Sequence, residues 1–331
     1  MVKAFFTSAL FAATALAASR MSAPPGAIVV AKSGGDYDTV NAAMSSLNTT
    51  QTTTQIVFIE EGTYDEQVYI PELAGRLIVY GQTEDDTTYT NNLVNITHDI
   101  KLADVKNDDM TGTLRNHAPY SAVYNLNVAN TAGQAGHQAL ALSAYGTQQG
   151  YYACQFTGYQ DTLLAQSGQQ IYANCLIQGA VDFIFGQHAR AWFHQCDLRV
   201  VERDSAAHIT ANGRPSESDD SFYVIHKSDI AAADGHNVPK GTYYLGRPWS
   251  QYARVVFQKT TMSNVINSAG WAEWSDALAN TENVTFAEYG NSGAGAHGVR
   301  ALFSALNDKA IPISTILGSK WNHWVDITFV N

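Results

Sequence analysis

The stretch "TGYQDTLLAQSGQQIYANCLIQGAVDFIFGQ", residues 157–187, repeats itself at a step of 21. Gly158 and Gly179 share one phase and Asp161 and Asp182 another. The same step links Cys154, Cys175 and Cys196, then Tyr151, Tyr172 and Phe193, then Phe156, Ile177 and Leu198. A fixed period of ~20–50 residues marks a repeat architecture. Here the apolar runs are short and are broken by Gly, Asn, Gln and Ser, which reads as short strands and turns. A coil of this length that stacks on its neighbours at the ~4.8 Å spacing of adjacent strands is a parallel β-helix. A sandwich or propeller would need recurrent hairpin turns; Asn-Gly occurs once, at Asn212-Gly213. The expected fold is therefore an all-β solenoid.

Solenoid ends need caps. Residues 36–48, "DYDTVNAAMSSLN", set Val40, Ala43, Met44 and Leu47 at helical spacing, with Asp36 available as N-cap. At the other end, "VRALFSALND" (299–308) reads as a helix. "ISTILGSKWNHWVDITFV" (313–330) reads as an aromatic tail folded back over the coils.

Composition agrees with this fold class and excludes several functions. Of 331 residues, 15% are charged, against ~25% in ordinary globular proteins. The formal net charge of −11 argues against a nucleic-acid partner, which clustered Lys and Arg would favour. Lys3, the apolar run "AFFTSALFAATALA" and the small-x-small site Ala15-Leu16-Ala17 form a secretory signal. Residues 1–17 are thus expected to be removed, leaving a single secreted domain over 18–331. The apolar run is too short for a membrane span, and nothing else is long and apolar enough. Asn48, Asn95 and Asn283 head glycosylation sequons. Three cysteines leave at least one thiol unpaired, and a stacking distance of ~4.8 Å exceeds the ~3.5–4.5 Å a disulfide prefers between Cβ atoms. Buried free thiols are expected, and no metal-ligand spacing is present.

The aspartates are the unusual feature. On neighbouring coils they lie roughly 5 Å apart by the strand spacing, and two carboxylates that close cannot both ionise cheaply. Their flanks, "DTLL" and "DFIF", are those of buried strands, where an unpaired charge is costly. Gln160 precedes Asp161, and Gln138 lies 22 residues earlier. Steps of 21 and 22 cannot share one strict register, so one coil should carry a bulge or a longer turn. The glutamine amides are donors suited to a developing oxyanion, although either alone would read as an amide ladder serving the backbone.

Six motifs now occur together and in order: "GTYDEQV" (62–68), "HQALAL" (137–142), "GYQDTL" (158–163), "GAVDFIFG" (179–186), "LGRPWSQYARVVF" (245–257) and "GWAEW" (270–274). The set resembles the pectin methylesterases, most closely their secreted fungal members. That resemblance implies a right-handed parallel β-helix that hydrolyses methyl esters of galacturonate units in pectin, as a monomer without cofactor or metal. It implies Asp182 as nucleophile, Asp161 as general acid and then base, and Gln138 and Gln160 as oxyanion donors. Arg247 would contact Asp182, Trp249 would pack on the sugar, and Tyr159 and Phe185 would wall the groove. Gln134 stands where many relatives have proline. Carboxyl spacing alone also suits a retaining glycosidase. A β-helical pectate lyase and a non-catalytic polysaccharide binder compete as well. The glutamine pair and Arg247 favour acyl transfer.

Overall fold

The computed structural model describes residues 18–330; the signal reading for residues 1–17 lies outside them. Among the described residues, twenty-six strands form three parallel sheets of eleven, seven and eight strands. Each sheet takes about every third strand of the chain, so the backbone winds through the three faces in turn and stacks coil on coil. This is a parallel β-helix, as the 21-residue step predicts.

The step holds where it was read. Tyr151 pairs with Tyr172 and Tyr172 with Phe193 in the eleven-stranded sheet. Their rings stack inside at 5.0 and 4.6 Å, within 7° of parallel. Phe156, Ile177 and Leu198 form an apolar row on the eight-stranded sheet. Buried Gln149 and Gln170 donate to backbone carbonyls of the neighbouring coil and accept from Tyr151 and Tyr172. They form a true amide ladder.

The cysteine column has a turn function. Six successive coils leave the eleven-stranded sheet through one residue with positive φ: Asn125, Ala153, Asn174, Gln195, Lys227 and Lys259. The next residue turns inward. At Cys154, Cys175 and Cys196 the thiol donates to the carbonyl two residues back, at 3.4, 3.4 and 3.6 Å. Ser228 and Thr260 make the same bond with hydroxyls on the following coils. All three thiols are free and buried, as expected.

Both ends are capped, though not as the pattern first suggests. The N-terminal helix spans Val40–Ser45 and buries Val40, Ala43 and Met44. Its N-cap is Thr39, whose hydroxyl accepts from Ala42. The Glu66 carboxylate takes the next free amides, Val40 and Asn41. Asp36 instead accepts from the Val29 amide, bracing the first strand. Residues 299–308 are not helical. Val299, Leu302 and Leu306 have helical spacing but are almost fully exposed, and Ser304–Leu306 adds the last strand of the eleven-stranded sheet. Without a core to face, the apolar pattern has nothing to hold a helix. The helix falls later, at Ile313–Leu317. The aromatic tail then covers the outer face of the sheet, where Ile316, Leu317, Trp324 and Val325 pack on Tyr152, Trp192 and Val224.

Candidate active site

Two breaks in register build the site, both on the seven-stranded face. Gln138 pairs with Gln160 at a step of 22, whereas Leu142 pairs with Leu163 at 21, so the earlier coil bulges by one residue between them. The second lies between Val181↔His208 and Ile184↔Thr210, where Asp182 and Phe183 oppose Ile209 alone. Bulges re-aim side chains and occur beside active sites. Asp161 and Asp182 both have positive φ, +62° and +50°, a region that Asp tolerates better than most residues.

These breaks turn a row of polar side chains into one cleft, lined by Gln138, Gln160, Asp161, Asp182 and Arg247, with Phe185, Trp249 and Trp274 as an aromatic wall. Asp161 and Asp182 sit on adjacent coils through the Gln160↔Val181 pair and the bond from the Asp161 amide to the Val181 carbonyl. Phe185, Ala211 and Arg247 form one row across three strands, which delivers the guanidinium to Asp182. Arg247 grips that carboxylate through Nε and Nη2, donates from Nη1 to the Trp274 carbonyl, and lies 4.3 Å from the Trp274 ring centre. Phe185 and Trp249 meet at 6.2 Å, and Asn280 donates to the Pro248 and Trp249 carbonyls, fixing the loop.

The two acids are unlike. Both are buried. Asp182 has its carboxyl raised by burial and pulled back by the Arg247 fork, and burial outweighs the arginine. Asp161 has no hydrogen-bonded side-chain partner among the described residues. Burial and then the neighbouring Asp182 charge push it well above the ordinary carboxylate range. Of the pair, Asp161 is the more readily protonated and Asp182 the more readily ionised. The glutamines differ from their buried counterparts too. Neither the Gln138 nor the Gln160 side-chain amide is bonded among the described residues, so the ladder reading does not describe them.

Tyr159 stands apart from this cleft. Its ring packs on Ala180, Val181, Val201 and Ala233, beside a neighbouring hollow with Thr157, Gly158 and Gln178. Asn48 and Asn283 are exposed, and Asn95 is half-buried on a strand, where it accepts from Asn127. Gln134 opens an exposed 3-10 turn. Besides the apolar Leu102 and Ala211 of the lining, three residues at or beside the cleft were not assigned from sequence. Trp274 closes the "GWAEW" motif and could have been taken from it. Asp108 lines the cleft and is held there by its neighbour Asp109, which binds Arg115, His117 and Ser143. His208 is a lone histidine in a longer coil and carries no motif.

The wider likeness is equally specific. The pectinesterase family profile matches residues 27–304. A pectinesterase of Aspergillus niger is 71% identical over the full length of both chains. The crystal structure of a deglycosylated pectin methylesterase from Aspergillus niger superposes with a TM-score of 0.87 at 40% identity, covering 94% of this chain and all of that one. A pectin methylesterase solved in complex with a hexasaccharide gives 0.72 at 25% identity, covering 90% of this chain and 98% of that one. With the family profile, the sequence identity and the stacked coils all in agreement, the chain belongs to the pectinesterase family and is an enzyme of that type.

Proposed function

We propose that the protein removes methyl esters from galacturonate units of methyl-esterified homogalacturonan by a covalent mechanism in which Asp182 is the nucleophile. The observation that carries this reading is the asymmetry of the acids: Asp182 is held by Arg247, while Asp161 is buried without a charged partner of its own. The Asp182 carboxylate attacks the ester carbonyl carbon. Gln138 and Gln160 amides donate to the oxyanion that forms. The C–OCH3 bond breaks as Asp161 gives its proton to the leaving oxygen, releasing methanol and an acyl-aspartate. Asp161, now a base, takes a proton from water; the hydroxide attacks the acyl carbon and Asp182 leaves as carboxylate. Every proton and electron pair is handled by side chains, so the scheme calls for no cofactor.

The aromatic wall supports a sugar substrate. Phe185 and Trp249 offer apolar faces to a pyranose ring, and the cleft, at about 270 Å³, admits one unit of a chain. The adjoining hollow with Tyr159 would take the next units, consistent with an oligosaccharide seated on a relative. Residues 1–17 and the exposed sequons Asn48 and Asn283 support secretion as a glycoprotein. The described residues contain no helix long and apolar enough to cross a membrane.

Asp182→Asn preserves shape and removes the charge. Methanol release from pectin should nearly vanish while thermal stability is kept; a rate within tenfold of the parent sinks the assignment. On the unmodified enzyme, new reducing ends would point to a glycosidase and an unsaturated product to a lyase.

A further inference from the structure

His208 lies on the strand Ala207–Asn212, between Val181 on one side and Tyr244 on the other. Its ring is stacked on Tyr244 at 5.6 Å. Because the chain bulges at Asp182, that carboxylate turns toward the strand bearing His208, and Nδ1 of the imidazole stands 3.8 Å from Oδ1. Nδ1 is buried with no hydrogen-bond partner. A ring lone pair aimed at a carboxylate is repelled, whereas an N–H aimed there is attracted, so the proton belongs on Nδ1. Burial, with Arg247 and Arg203 nearby, keeps the ring neutral and takes its pKa down to about 3.

We infer that His208, as the Nδ1–H tautomer, is a positioning residue for Asp182, a second and uncharged donor that keeps the nucleophile ionised inside a buried cleft. At 3.8 Å the contact is a dipole aimed at a charge; closing by about 0.6 Å brings it within hydrogen-bond range. A neutral N–H adds stabilisation to the carboxylate without adding charge to the cleft. The remaining groups facing Asp182 are Asp161 on the preceding coil, Arg247 on the strand after His208, and Arg203 on the loop before it. Arg247 and Arg203 lower the Asp182 carboxyl. Asp161 is the more readily protonated of the pair, and Asp108 adds its charge at Asp161.

The inference rests on Asp182 being the nucleophile, and the test separates the two. The pH dependence of kcat/KM for methanol release is measured for the parent, His208→Asn, His208→Gln and His208→Leu. The Asn amide reproduces the Nδ1 donor, the Gln amide the other ring nitrogen, and Leu neither. A donor lost from an anion raises its pKa. The acid limb should therefore move up by about one pH unit in the Leu and Gln variants, roughly a tenfold loss below the limb, and stay in place in the Asn variant. KM should change little. Coincident limbs in all variants overturn the inference, as does an equal shift in Asn and Leu, which would make the ring a packing element only. If the Leu variant does not fold, Asn against Gln decides. Activity retained in Asp182→Asn overturns the nucleophile assignment itself; an inactive Asp182→Asn with a flat His208 series overturns only this inference.

Discussion

Arg247 holds Asp182 by both carboxylate oxygens, Nε to Oδ1 at 3.0 Å and Nη2 to Oδ2 at 2.6 Å. A fork of this kind fixes the plane of the carboxylate as well as its charge. Burial still raises the Asp182 carboxyl against that pull, so the ion pair is not in excess. Arg247→Met should lower kcat by at least ~100-fold and move the acid limb of the rate upward, while Arg247→Lys, with a point charge, recovers only part. Steady-state kinetics of methanol release across pH check both; an Arg247→Lys variant as fast as the parent would show that orientation is not needed.

The free amides of Gln138 and Gln160 give a second expectation. Losing one oxyanion donor costs ~10²–10³ in turnover. Gln138→Ala and Gln160→Ala should each lose about that in kcat with little change in KM. A rise in KM alone would mean that these amides bind the ground state.

Acid should loosen the tail. His226 Nδ1 accepts from the Gln258 amide at 2.9 Å, and the same amide clamps both backbone groups of Ile311. Burial lowers His194 and His226 from 6.5 to about 4, with Lys227 adding repulsion at both and Lys259 at His226. Between these values the unfolded chain binds more protons than the folded one, so stability rises with pH. The contribution is complete above about pH 6.5 and is lost as pH falls through 4. The lowered His208 acts in the same sense and window, the lowered Asp109 acts only below it, and the raised Asp108, Asp161 and Asp182 work in the opposite sense. Melting followed by tryptophan fluorescence, with Trp321 and Trp324 in the tail and Trp192 on the sheet beneath it, should show a falling midpoint from pH 7 to 4.5. His226→Gln should flatten the dependence, and an equally steep profile in that variant would refute the clamp.

The thiol column yields a chemical count. Denatured, unreduced protein should titrate three thiols; a count of one would show a bridge between two coils. Cys175→Ser keeps a donor where Ser228 and Thr260 already serve and should be mild. Cys175→Ala leaves the Ala173 carbonyl without its thiol and should cost about 1 kcal/mol or more, read from denaturant unfolding.

How legible all this was depended on coil length. Tyr152, Ala173 and His194 stand in one column at steps of 21, but His194, His226 and Gln258 continue it at steps of 32. Periodicity is visible only where loops between strands are short, and there it revealed the fold and both aspartates. His208 lies one long coil and one bulge after Asp182, out of phase with it, and no local pattern points there. Thr39 displaced Asp36 as cap because Asp36 was already engaged by the Val29 amide, a tertiary choice that spacing does not encode.

Columns that survive changes of coil length have an evolutionary corollary. The register across each sheet is kept whether the intervening chain takes 21 residues or 32, so segments can be lengthened, exchanged or grafted at the corners without disturbing the floor of the cleft. The two bulges are the exception, because a residue gained or lost there would rotate a carboxylate away from its partner. Diversification of this scaffold is thereby channelled to its rims, where new walls can be tried against new polymers while the chemistry stays in place.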